Sequence, residues 1–289
     1  MRLYALFGLL TITLLLFCVT FRFFVPRKLY LQSIGKRKQS VLRDFYRRNE
    51  AKRQLLLGAA NLRFDLIYNL YIPEVTCPYL VKVGAPYDGG KWTCDPWGLP
   101  KKCVVYSFGV GNDVSFESDL NFITNNSCSI YAFDPNASYA NLFVTMRNAH
   151  FYPWRIGLKS QQNVLIKPDP KLGVNLAAPV HSVGEIVSRF SDGHVDFMKM
   201  DIEGWEFQAI EEMLHSSNVR PCQLMIEIHP QKNAKVMGYL LRLLSHFDYL
   251  NFSKEINGGD FLVCEFSFIH QSCARQYGIE IVLHRNFGV

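Results

Sequence analysis

From residue 103 onward, short apolar runs alternate with stretches whose apolar residues recur every three or four positions. The first pattern predicts buried strands and the second predicts amphipathic helices. Residues 103–108 read as a strand ending in a glycine turn, followed by a helix with Phe116, Leu120 and Ile123 on one face. Residues 129–133 form a second strand closed by Asp134-Pro135, and 151–158 a shorter extended piece. Val183, Ile186, Val187 and Phe190 mark a helix, 195–200 the next strand, and Phe207, Ile210 and Leu214 the helix after it. Another strand, 223–228, precedes a helix over 236–244, and two β-rich pieces, 249–252 and 261–268, follow without a helix between them. Alternating strands and helices imply a mostly parallel α/β sheet, and the last pair implies a terminal antiparallel hairpin.

The chain before residue 103 has a different pattern. Residues 3–21 form an apolar run without a charge, extended past Arg22 by Phe23, Phe24 and Val25. Nineteen residues rise ~28 Å as a helix, about the thickness of a hydrocarbon core. A cleaved signal peptide is the rival, but its apolar region is shorter and ends in small residues. Residues 1–25 are therefore expected to be a single transmembrane helix, anchoring the chain in a lipid bilayer through residues 3–25. Residues 26–60 form a basic stem. Residues 61–102, rich in Pro, Gly and Cys, read as a pre-domain of turns and short extended pieces, and 103–289 as the main domain.

Charge changes the picture by exclusion. The formal net charge is +6, but 10 Lys or Arg face only Asp44 and Glu50 between residues 27 and 53. From Gln54 onward there are 19 basic residues against 23 acidic, a net of −4, so the body lacks the basic footprint of a nucleic-acid binder. The basic stem favours a cytosolic body by the positive-inside rule. Seven cysteines beyond the anchor (Cys77, Cys94, Cys103, Cys128, Cys222, Cys264, Cys273) and glycosylation patterns at Asn125, Asn136 and Asn251 favour a lumenal one, in the Golgi or endoplasmic reticulum. The lumenal orientation is the expectation carried forward.

Candidate chemistry sits at the strand ends, where open α/β sheets bind ligands. The first strand ends Ser107-Phe108-Gly109-Val110-Gly111, and Asp134 closes the second strand 25 residues beyond Gly109. Two glycines permit a tight turn and close ligand approach, and a carboxylate at Asp134 suits the hydroxyls of an adenosine ribose. Val114 stands where a nicotinamide dinucleotide site needs a third glycine, with Asp113 before it to repel phosphate. A sulfonium donor, S-adenosylmethionine, fits better than NAD. The next strand is broken by Lys199 and ends in Asp201 and Glu203; Glu227 and His229 end the strand after it. Methyl transfer to a hydroxyl needs a positioned proton acceptor, a role open to Asp201 or Glu203, with Lys199 and His229 beside them. Two alternatives remain open: a divalent metal held by the Asp/Glu/His group, and a buried Lys199–Asp201 pair of purely structural value.

The stretch Asp196 to Glu206, D-F-M-K-M-D-I-E-G-W-E, resembles the hallmark of FkbM-type methyltransferases. Tyr131-Ala132-Phe133-Asp134-Pro135 resembles their second-strand motif and Glu227-Ile228-His229 their next strand ending. Val105 to Gly109, Trp92-Thr93-Cys94-Asp95 and the N-terminal anchor look like the animal methyltransferase-like branch. The resemblance covers residues 77–270. It implies a Rossmann-like class I methyltransferase fold, S-adenosylmethionine held by Ser107, Gly109, Gly111, Asp134 and Asp201, and methylation of a hydroxyl-bearing acceptor such as a glycan. Ser107 departs from the acidic residue many class I enzymes carry there, and the third glycine is absent. The other function class left open is a catalytically inactive binding module on the same fold.

Overall fold

The computed structural model describes residues 63–159, 161–165, 177–230 and 232–282, together with isolated helical positions between 40 and 58. The chain divides into two units, Met1–Asn49 and Glu50–Val289; all that follows concerns the second. The expected anchor lies outside the described residues, and among those described no helix is long and apolar enough to cross a membrane.

A seven-stranded sheet forms the centre. Its strands are β4 (Val104–Phe108), β5 (Ser129–Phe133), β6 (Ala149–Tyr152), β10 (Phe197–Met200), β11 (Gln223–Ile228), β12 (Tyr249–Ile256) and β13 (Cys264–His270). They lie in the order β12-β13-β11-β10-β4-β5-β6. The five strands from β11 to β6 run parallel, while β13 pairs antiparallel with both β11 and β12. The order reverses at β4, so the switch point falls between β4 and β10. This is a Rossmann-like, mostly parallel sheet, with the expected antiparallel hairpin at its end.

β10 and β11 are buried at every position, as central parallel strands must be with both faces covered. Alternation along them divides the core. Tyr106, Phe108, Met198, Met200, Leu224 and Ile226 meet α1 (Phe64–Leu70), α3 (Val183–Phe190), α4 (Glu206–Glu211) and α5 (Ala234–His246). Val105, Phe197 and Met225 face the other way, toward α2 (Ser115–Ile123) and a hairpin of β2 (Leu80–Val83) and β3 (Lys91–Cys94). α1 forms where breaker density predicts only turns. Its Phe64, Ile67, Tyr68 and Tyr71 recur at i, i+3, i+4 and i+7, and that apolar stripe packs on the core, overriding the flanking prolines. Short strands β1 (Val75–Thr76) and β14 (Glu280–Ile281) pair with each other, and β7 (Arg155–Ile156), β8 (Gln161–Leu165) and β9 (Ala177–His181) make a small separate sheet.

Among the described residues three disulfides join Cys77 to Cys94, Cys103 to Cys128 and Cys222 to Cys273, leaving Cys264 as a buried thiol. Cys103 and Cys128 precede β4 and β5, and Cys222 precedes β11. These staples thus sit at the amino ends of the parallel strands, opposite the end that carries the candidate chemistry. The glycosylation pattern at Asn251 is ruled out by burial, since its side chain is enclosed and bonds the Ser253 and Ser267 carbonyls.

Peptide mapping without reduction should recover these three pairs. Closing the 51-residue separation between Cys222 and Cys273 is worth about 4 kcal/mol in the chain-entropy account. Urea denaturation of Cys222→Ser should show a loss of that order.

Candidate active site

The glycine turn after β4 is fixed from below. Gly109 has φ +75°, and a Cβ there would fall 1.6 Å from the Asp201 carbonyl oxygen, so only glycine fits. Lys199 Nζ donates to the Gly109 carbonyl at 2.7 Å, and the Gly109 N–H donates to Phe133 at 2.9 Å. Ser107, opposite Lys199 in the sheet register, donates its hydroxyl to Glu117 of α2, which also lies 3.9 Å from Lys199 Nζ. Ser107 and Lys199 are therefore buried supports of the turn, not cleft residues. The Lys199–Asp201 pair left open as an alternative does not form; Lys199 meets Gly109 and Glu117 instead, because it reaches toward α2. Gly111, at φ +64°, differs from Gly109: a side chain there would meet open space.

Asp134 completes this half of the site. Its Oδ2 accepts the Gly111 N–H at 3.0 Å and its Oδ1 the Asn136 N–H at 2.8 Å. Burial pushes its carboxyl up, against those N–H groups, which favour the charged form. At the start of α2, Asp113 Oδ1 accepts the Ser115 N–H at 2.8 Å, so a carboxylate already stands where a pyrophosphate would bind.

The second half is the loop from Asp201 to Glu206. Glu203 takes φ +55° and Gly204 φ +97°, a left-handed pair that costs a non-glycine residue about 1 kcal/mol or more. Glu206, wholly buried, holds the loop by accepting the Ile202 N–H at 3.0 Å and the Gly204 N–H at 2.9 Å. His229 Nδ1 lies 3.0 Å from Glu206 Oε1, and Nε2 lies 3.7 Å from Glu203. Burial works against the imidazolium, but Glu206 outweighs it and raises His229 to about 9. His229 is therefore a cation at neutral pH. The proton-accepting role stays with the carboxylates, and His229 beside them ties Glu203 to Glu206.

Lys91 of β3 joins the loop to the sheet, and it stood outside every motif of the sequence. Its side chain is wholly enclosed. Nζ lies 3.3 Å from Asp201 and 3.3 Å from Glu227, and pairs closely with Glu265 of β13. Burial works to strip the ammonium of its proton, yet Glu265, Asp201 and Glu227 together raise it above the ordinary lysine range. Burial also acts to raise Asp201, but Lys91 and then Lys199 hold it down at about 2. Glu227 goes the other way, to about 8, through burial and the neighbouring Asp201 charge.

Between the two halves lies a cleft of about 380 Å³, within the ordinary range for small-molecule sites. Gly109, Gly111, Asp134, Asp201 and Glu203 all line it. Tyr139, Trp154, Arg155 and Trp205 add an aromatic and cationic part to its wall, with the Arg155 guanidinium 4.7 Å from the Trp205 ring centre. Trp154 borders the cleft and also packs on Tyr152 and Phe190.

A family model described as "Methyltransferase domain" matches residues 36–270. The chain is similar to probable methyltransferase-like protein 24 of Homo sapiens, 27% identical over 134 residues, covering 45% of this chain and 33% of that one. The Rattus norvegicus protein of the same description is 27% identical over 137 residues. The chain thus matches about a third of the length of these relatives. Among solved structures, a fibrillarin pre-rRNA processing protein of Methanococcus jannaschii superposes with a TM-score of 0.42 at 10% identity, over 62% of this chain and 70% of that one.

The raised groups give a signed pH dependence. Glu227, at about 8, and His229, at about 9, lie above their ordinary 4.5 and 6.5, so the folded chain holds protons that the unfolded chain releases. Their stabilisation is complete below those ordinary values and disappears as pH rises through about 8 and 9. Calorimetry should find the melting temperature falling from pH 6.5 to 9, with a shallower fall in a Glu227→Gln, His229→Gln double variant.

Proposed function

Because the chain belongs to the methyltransferase domain family, we propose that it transfers a methyl group from S-adenosylmethionine to a hydroxyl of a glycan or glycoconjugate. The observation that carries this reading is that Asp134 and Asp201 line one cleft together with the Gly109 turn. The lining fits the donor: Asp134 suits the ribose hydroxyls, Gly111 leaves room for close approach, and Asp201 and Glu203 give acidic surroundings for a positive sulfonium. When bound, the donor supplies a methyl group already activated on sulfur, with a neutral leaving group.

The chain's own residues then have two tasks. The Gly109 turn and the Glu206-braced loop set the two cleft walls at a fixed separation, so that bound groups meet in line. Asp201 receives the acceptor proton. Alone it is a weak base; Glu227, hydrogen-bonded to it and raised to about 8, already holds a proton near neutral pH, so it can share in taking the acceptor's proton only as pH rises through about 8. The finer likeness to FkbM-type enzymes rests on the Asp196–Glu206 stretch and supports oxygen as the methylated atom.

The reading extends to place. Three disulfides suit an oxidising compartment, and the exposed Asn125 pattern suits a secretory one. Together with the apolar run at residues 3–25, they support a body held in the Golgi or endoplasmic reticulum lumen by an N-terminal anchor. A non-catalytic donor-binding module is the second reading, favoured by one observation: Asp201 is held at about 2, well below the optimum for a general base at neutral pH.

Titration calorimetry of the full chain with S-adenosylhomocysteine tests the proposal. Binding should weaken at least about tenfold in Asp134→Ala, with an unchanged circular dichroism spectrum. A wild-type chain giving no heat ends the donor reading. Binding without S-adenosylhomocysteine production from S-adenosylmethionine, across glycan acceptors, selects the module instead.

A further inference from the structure

Among the described residues two groups of side chains have metal-ligand spacing, Asp201 with Glu227 and His229, and Asp88 with Glu227 and Glu265. They share Glu227. In both, the ligand atoms come within 4.8 Å of one another. The first is the Asp/Glu/His set that the sequence leaves open to a divalent ion.

Asp88 apart, the members of both groups already have partners. Lys91 Nζ touches Asp201 and Glu227 from the first group and Glu227 and Glu265 from the second. His229 turns one ring nitrogen to Glu206 and the other toward Glu203. Asn257 Nδ2 donates to the remaining Glu227 oxygen at 3.0 Å. The sheet explains why a cation is needed. Glu265 sits directly opposite Glu227 on one side and Glu255 on the other, and like charges in facing positions repel. The β2–β3 hairpin answers with two lysines, Lys82 on Glu255 at 2.7 Å and Lys91 on the other three carboxylates. That hairpin is itself pinned: Cys94 is bonded to Cys77, and its backbone N–H and carbonyl are both clamped by the Gln223 side chain.

We infer that Lys91 is the resident cation of this site, a positioning residue that fills the place of a divalent metal and holds Asp201 at the cleft. The donor and acceptor chemistry attached to Asp201 rests on the proposed function; the cation assignment does not. It makes the enzyme independent of divalent metal, with the counter-charge delivered covalently by the chain.

Manganese chloride alone is the probe, titrated into the full chain and read by electron paramagnetic resonance. Wild type should show no Mn²⁺ site that Glu227→Gln removes. Lys91→Met leaves three carboxylates without their ammonium and should bind Mn²⁺ about tenfold or more tighter than wild type, an affinity lost again in Lys91→Met, Glu227→Gln. Lys91→Arg keeps the charge and should match wild type, with S-adenosylhomocysteine affinity retained. A merely structural lysine would lower stability in Lys91→Met without creating a metal site. The inference is overturned if wild type binds Mn²⁺ through Glu227, or if folded Lys91→Met binds none. Should Lys91→Met fail to fold, wild type and Lys91→Arg still decide, since Mn²⁺ binding removed by Glu227→Gln in either contradicts it. Loss of S-adenosylhomocysteine binding in wild type would strike the proposed function and leave the manganese result standing.

Discussion

Carboxylates crowd the open end of this parallel sheet, and each is tolerated only because a donor meets it. Asp134 is met by the Gly111 and Asn136 N–H groups, and Glu206 by its own loop and His229. Glu117 is met by Ser107 and Lys199, and Asp201, Glu227 and Glu265 by the single ammonium of Lys91. Removing charge from water costs several kcal/mol per ion unless such partners are in place. The fold therefore has to bring partners from distant segments before the acidic cleft can exist.

This requirement explains how the chain divides its labour. The staples at Cys103–Cys128 and Cys222–Cys273 tie the amino ends of the strands, where no chemistry is expected. The carboxyl ends are left free to carry the Gly109 turn, the left-handed Glu203–Gly204 pair and the cleft between them. The remaining disulfide, Cys77–Cys94, encloses the hairpin that delivers Lys91 to the carboxylates. A segment read from sequence as a pre-domain thus supplies a central charge of the site.

Much of the fold was legible because its signals are local. The strands 129–133 and 223–228 and the helix 183–190 fall where period and turn residues place them, since a buried run or an apolar stripe is visible within ten residues. The cleft residues Gly109, Gly111, Asp134, Asp201 and Glu203 were legible for a related reason: strand ends in an open sheet converge. Ser107 and Lys199 were placed one layer too high, because the sequence does not show Glu117 reaching down from α2. Lys91 had no local signal. Its partners lie 110, 136 and 174 residues away, and the Trp92–Asp95 motif begins one residue past it. Only the register of the β2–β3 hairpin over the sheet reveals its place.

The central claim is that Asp134 and Asp201 face one bound nucleoside. A crystal structure of the full chain with S-adenosylhomocysteine tests it most directly. The ribose hydroxyls should lie on Asp134 and the sulfur between the Gly109 turn and Asp201. Nucleoside density outside this cleft, or inside it with Asp134 turned away, would contradict it.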